Sequence, residues 1–143
     1  MRLHMTKPFR LTALTGAAAL AATAGLVGTA TPASAAERDG VCEAGEFCLY
    51  WLAGSGEPLF DLFVDDPDFS DDFFPADPNL PVSDNTRSYW NQDDFYWHVY
   101  DEPNYAGEEL LCAAPGEFGD LSQGAWDRAS SAYFSTDPCV VSP

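Results

Sequence analysis

Beyond residue 35 the chain has no lysine, three arginines (Arg38, Arg87 and Arg128) and a single histidine, His98, set against 23 acidic residues. That shortage of positive charge excludes nucleic-acid phosphates and anionic membranes as partners and leaves cations or basic protein surfaces. With one histidine, no two-histidine zinc site can be assembled there. No G-x-S-x-G elbow presents a serine nucleophile, and the D-x-[DN]-x-[DN]-G spacing of an EF-hand is absent. Carboxylates are so numerous that no particular pair points to glycoside hydrolysis. His98 falls inside a predicted strand and is read as a packed or edge residue. The chain is therefore read as non-enzymatic.

Long apolar runs are also scarce: the one present, Leu11 to Val27, lies near the start. Arg2, His4, Lys7 and Arg10 precede or border it, and Ala33-Ser34-Ala35 follows as an A-x-A cleavage site. This is the pattern of a secretory signal peptide over residues 1–35, too rich in small residues and wrongly flanked for an anchor. Cleavage after Ala35 leaves residues 36–143, the length of one domain. The three remaining Arg against 23 acids give a net charge of −20. The expected product is extracellular and monomeric, with no membrane association.

What the chain does have is aromatic and turn-forming residues: 4 Trp, 6 Tyr, 10 Phe, 11 Gly and 11 Pro. Aromatic content at this level supplies the apolar area that offsets chain entropy, so the charge does not imply disorder. No helical stripe follows residue 36. Short apolar runs punctuated by Gly, Pro, Asn and Asp predict an all-β fold, with strands at 47–51, 59–64, 88–91, 95–100, 109–113 and 129–134. A helical turn is expected only in "SQGAWD" or the acidic segment before it. The four cysteines of an exported chain imply two disulfides. Three pairings are open; Cys42–Cys48, closing a local hairpin, and Cys112–Cys139, tying the chain end to a strand, are preferred. Chain-entropy arithmetic assigns them roughly 2 and 3.5 kcal/mol.

An internal repeat emerges when Gly56 is laid over Gly107. "LYWLAGSGEPLFDL" from Leu49 then matches "YDEPNYAGEELLCA" from Tyr100, and each is followed by a serine-bearing strand, "DNTRSYW" from Asp84 and "WDRASSAY" from Trp126. Each copy is too small to bury a core alone. Glycine at such a fold-over takes a positive φ that strains other residues, and the flanking Tyr rings supply buried area. The spacing Tyr100-x4-Tyr105-x-Gly107 with a late serine resembles the Greek-key motif of the βγ-crystallin superfamily. The resemblance implies a small sandwich of two Greek keys, at about 41–91 and 95–135, with Ser88 and either Ser130 or Ser131 bonding the folded hairpins. The first unit departs from the pattern, with Leu49 standing where Tyr100 does and Gly54 where Tyr105 does. Among small secreted bacterial proteins of this kind, "CEAGEFCLYW" from Cys42 resembles peptidase inhibitor family I36, known for proteins that block secreted metalloproteases.

Two sets of site residues follow from the resemblance. Microbial βγ-crystallins bind calcium through [N/D]-[N/D]-x-x-[S/T]-S. Laid on this chain, the motif implies calcium at Asp84, Asn85 and Ser88 and at Asp127 and Ser130, with Tyr89 and Trp126 replacing expected ligands. The alternative reading without metal is that these residues only form turns. For inhibition, a disulfide stiffens an extended segment at Cys48-Leu49 and at Cys112-Ala113, which lowers the ordering cost of entering a protease cleft. Leu49 suits the apolar preference of thermolysin-type enzymes but reads equally as a core residue, whereas Ala113 suits it poorly. The competing function is a calcium-stabilised structural or cell-surface binding module. An antimicrobial toxin on this fold is disfavoured by the negative charge. The acidic insertion at 64–81, counted as nine residues longer than the equivalent stretch of the second unit, reads either as a loop presenting Asp and Phe to a basic partner or as a solvated acidic cover over a satellite cluster of Phe.

Overall fold

The computed structural model describes residues 38–140; the expected leader, its expected cleavage site and the final three residues lie outside them. Among the described residues, nine strands form three sheets. β1 (Phe47–Leu52), β2 (Gly56–Leu62), β5 (Ser88–Asn91) and β8 (Phe118–Asp120) make an antiparallel sheet in the order β2-β1-β5-β8. β6 (Tyr96–Glu102), β7 (Ala106–Ala113) and β9 (Ser131–Ser135) make a second in the order β7-β6-β9, and β3 (Phe73–Phe74) pairs β4 (Asp77–Pro81) as a short ribbon. The six expected strands are present, and a 3-10 turn at Gln123–Ala125 falls in "SQGAWD".

Strand alternation builds the core. On β1, Phe47 and Leu49 point between the sheets, and Cys48 and Tyr50 point to the outer face, where they pack with Leu59 and Cys42. On β6, Trp97 and Val99 take the inner positions. Phe47 and Trp97 stack at 5.1 Å between ring centres, and Trp97 meets Phe134 at 5.7 Å. These rings tie one sheet to the other, and Trp97 and Phe47 are the largest fully buried side chains among the described residues.

Each unit reaches across to the other's sheet, the second through a strand and the first through one isolated bridge. β8 of the second unit pairs β5 of the first, and Asp66 of the first bridges Ala132 of β9. Neither half can close its core without its partner, as the repeat analysis implied.

The repeat register is one residue from that expected. Tyr50↔Leu59 and Leu52↔Gly56 on the first hairpin echo Tyr100↔Glu109 and Glu102↔Ala106 on the second. Tyr50, not Leu49, is thus the counterpart of Tyr100. Ser55 matches Tyr105, and Gly56 matches Ala106 rather than Gly107. The residues at the fold-overs confirm the pairing: φ is 69° at Gly54 and 57° at Ser55, against 59° at both Asn104 and Tyr105. Gly107 does adopt a positive φ of 77°, and a Cβ there would lie 2.1 Å from Asp101 Oδ1. Gly56 is required for a different reason: its Cβ would come within 2.6 Å of the Leu52 Cβ.

The acidic insertion is solvated in part, with Asp71, Phe73 and Asp77 exposed, and buried in part. Phe69 and Phe74 are fully buried in the main core, and Asp66 and Asp72 are buried beneath Arg38, which bonds both carboxylates. Phe69 N–H donates to Ser130 O and Asp65 accepts from Phe134 N–H, so the segment is stitched to the second unit. In the corrected register it is seven residues longer than its counterpart, 32 from Gly56 to Ser88 against 25 from Ala106 to Ser131.

Candidate functional site

The two serine turns meet at a pseudo-twofold junction. Ser88 Oγ donates to Leu52 O at 2.6 Å and accepts from Ser55 N–H at 3.0 Å. Ser131 Oγ donates to Glu102 O at 2.7 Å and accepts from Tyr105 N–H at 3.1 Å. Ser131, not Ser130, is therefore the serine equivalent to Ser88. Ser130 makes a long 3.4 Å bond to Arg128 O within its own turn. Just before each serine strand the backbone turns through a left-handed aspartate, Asp84 (φ 59°) and Asp127 (φ 56°). The turns grip each other reciprocally: Asp84 N–H donates to Ala129 O at 3.1 Å and Asp127 N–H to Thr86 O at 3.0 Å.

With the serines matched, the first motif runs from Ser83 to Ser88 and the second from Trp126 to Ser131. Asp84 pairs with Asp127, Asn85 with Arg128, and Arg87 with Ser130. Arg87 is the residue that sequence reasoning missed. Its Nε lies 3.1 Å from both oxygens of Asp127, its Nη2 lies 2.8 Å from Oδ2, and the guanidinium sits over the Trp126 ring at 5.3 Å. The bond to the Asp127 carboxylate holds Arg87 above the usual guanidinium pKa. Asn85 turns its side-chain amide to Ser83 O, and Asp84 is exposed.

A second feature lies at the entry to β1. The backbone from Asp39 to Gly45 is held by hydrogen bonds at Asp39, Gly40, Val41, Cys42, Glu43 and Gly45. Asp61, fully buried on β2, accepts from Asp39 N–H at 3.1 Å and Gly40 N–H at 2.8 Å. Asp39 accepts from Val41 N–H at 2.8 Å, Gln92 Nε2 donates to Cys42 O at 2.8 Å, and Gly45 N–H donates to Gln92 O at 2.8 Å. Glu46 Oε2 accepts from Glu43 N–H at 2.7 Å. The Cys42–Cys48 disulfide closes the segment onto β1, and Cys112–Cys139 forms the second bridge, the pairing preferred from spacing. Val41 stands out from this brace at 52% exposure. Glu46 is buried with Oε1 lacking a partner, and burial raises its pKa to about 7 despite the Glu43 hydrogen bond; Asp61 and Glu43 add smaller upward pushes.

The residues first nominated for protease contact do not fit that role. Leu49 and Ala113 are both 0% exposed, because each occupies an inward position of its strand, and Cys112 is half-buried beside them. His98 stacks on Tyr133 at 4.8 Å between ring centres, with Nδ1 3.3 Å from Glu109 Oε2. It is a packed strand residue. Tyr100 and Tyr105 also gather on Tyr133, at 5.9 and 5.2 Å, which explains their spacing around Gly107. His98, Glu109 and Cys112 approach one another, but the Cys112 sulfur is spent in the disulfide and cannot ligate a metal as thiolate. Among the described residues no helix is long and apolar enough to cross a membrane.

The family model for peptidase inhibitor family I36 matches residues 35–112. The chain belongs to peptidase inhibitor family I36. The match takes in the braced segment, the first disulfide and all of the first hairpin. Among solved structures, one from work on the evolution of the eye lens βγ-crystallin domain fold superposes with a TM-score of 0.54 at 16% identity, covering 68% of this chain and 95% of that one. A βγ-crystallin from an archaeon gives 0.49 at 22% identity, covering 65% and 100%, and one from Ciona intestinalis gives 0.49 at 20%, covering 64% and 100%. No curated protein sequence matches. This I36 chain therefore has the βγ-crystallin fold, a sandwich of two Greek keys carrying two disulfides.

Proposed function

We propose that the protein is exported by its leader and blocks an extracellular metalloprotease without catalysis of its own, engaging the enzyme through the braced segment around Val41. Family membership supports the inhibitor class. The observation that carries the location is the brace itself: Asp61, Gln92, Glu46 and a disulfide immobilise a short backbone stretch that carries one exposed apolar side chain, Val41, within it. A segment already held in one conformation loses little entropy when it enters a cleft. The surrounding acids, Asp39 and Glu43, complement a basic rim.

Val41→Asp separates this reading from one that places the contact elsewhere. The side chain is half in solvent, so folding tolerates the change, while an apolar protease pocket does not. The inhibition constant against a thermolysin-type enzyme is expected to rise about tenfold or more, the scale of a central contact, with an unchanged melting temperature. An unchanged inhibition constant removes the contact from this segment.

A further inference from the structure

We infer that Arg87 is a built-in cation at the junction of the two Greek keys, closing to metal the side where its guanidinium meets Asp127. The βγ-crystallin resemblance implies calcium at this junction, one ion per motif with oxygens drawn from both. The residues present do not fit that on the Arg87 side. Once Ser88 is matched to Ser131, the position that should offer a hydroxyl holds Arg87 instead. Both oxygens of the Asp127 carboxylate are engaged by Arg87 Nε and Nη2 at 2.8–3.1 Å. The residue ahead of Asp127, where the motif calls for a carboxylate or amide, is Trp126, whose ring lies beneath the guanidinium. A hard divalent ion needs six or more oxygens; here one hydroxyl and one carboxyl oxygen source are replaced by a cation and an indole.

The arrangement does the mechanical work expected of an ion. Arg87 is pinned through its backbone to both units, donating N–H to Tyr50 O of the first at 2.9 Å and accepting Leu121 N–H of the second at 2.9 Å. Its side chain then clamps the turn aspartate of the second unit, and that same aspartate donates its N–H to Thr86 O, one residue before Arg87. The two-pronged geometry is one that guanidinium provides and ammonium does not. Repulsion between a guanidinium so placed and an approaching divalent cation adds to the missing ligands. The pseudo-twofold mate of Arg87 is Ser130, so the Asp84 side lacks this plug. The junction accordingly takes no more than one ion.

The test is a calcium titration of the oxidised, EDTA-stripped protein by calorimetry, together with thermal melts of wild type, Arg87→Ser and Arg87→Lys in EDTA and in millimolar calcium. The wild type is expected to take at most one saturable ion per chain. Arg87→Ser restores a hydroxyl and frees Asp127. It should melt below wild type in EDTA and regain at least half of that loss in calcium. Arg87→Lys keeps the charge without the two-pronged fit; it should melt between the two and gain no more from calcium than wild type does. Two ions per wild-type chain overturn the inference, as does an Arg87→Ser protein that calcium leaves unrescued. Should Arg87→Ser fail to fold, the wild-type stoichiometry and the Arg87→Lys melts decide alone. None of these readouts depends on a protease.

Discussion

Replacing Glu46 by glutamine tests whether the brace at residues 39–45 carries a buried charge at neutral pH. The side chain is fully buried, one oxygen bonds Glu43 N–H at 2.7 Å, and the other has no partner. Its pKa rises from 4.5 to about 7, so between those values the folded protein holds a proton that the unfolded chain has released. Stability contributed by this group is therefore complete below about pH 4.5 and falls as pH rises toward 7. At about 1.4 kcal/mol per pKa unit the shift sets a ceiling of about 3 kcal/mol; local relaxation reduces this, and about 2 kcal/mol is expected. Glutamine keeps the acceptor for Glu43 N–H and stays neutral at every pH, mimicking the protonated acid. Urea melts followed by Trp fluorescence should find the two proteins equal near pH 4 and Glu46→Gln the more stable by about 2 kcal/mol near pH 8. Asp72, raised to about 7 by burial and by Asp66 against the opposing pull of Arg38, tilts both proteins the same way, so only their difference isolates Glu46. A difference that does not change with pH, or a glutamine variant less stable at pH 8, would refute the reasoning.

Other outcomes follow from the hairpins and the turn serines. Ser131→Ala strands Glu102 O and Tyr105 N–H inside the second fold-over and should cost about 2–3 kcal/mol in urea unfolding; a loss under about 0.5 kcal/mol would show that water takes over both bonds. Gly107→Ala forces a side chain into a φ of 77° and against Asp101 Oδ1. It should lower stability by at least about 1 kcal/mol and disturb the Asp101–Arg128 pair, whereas a neutral result would mean that the hairpin has room to open.

Much of the fold was legible because it rests on local chemistry. The uninterrupted aromatic run at 95–100 became β6, and the Tyr100, Tyr105 and Gly107 spacing marked a real fold-over whose rings collect on Tyr133. The register of the repeat was hidden by composition. A Gly-Glu pair at 56–57 mimics the one at 107–108, whereas the true alignment is set by hydroxyls reaching across more than twenty residues, Ser88 to Leu52 and Ser131 to Glu102. That slip placed Ser88 one motif position early and so concealed Arg87. Leu49 read equally as a core residue and as a protease contact, and its alternation with Cys48 and Tyr50 on β1 decides for the core. The insertion looked solvated because it is acidic. What compensates its two buried carboxylates is Arg38, 28 residues before Asp66 and 34 before Asp72, a pairing that no local window contains. β8 is three residues with an exposed Phe118 and exists only because β5 offers it an edge.

The central claim is inhibition, and the most direct measurement is residual activity of a thermolysin-type secreted metalloprotease titrated with the mature, oxidised protein at fixed calcium. The account predicts a linear fall to a sharp stoichiometric end-point with the protein left intact. Full protease activity in large molar excess, with the protein uncleaved, would contradict it.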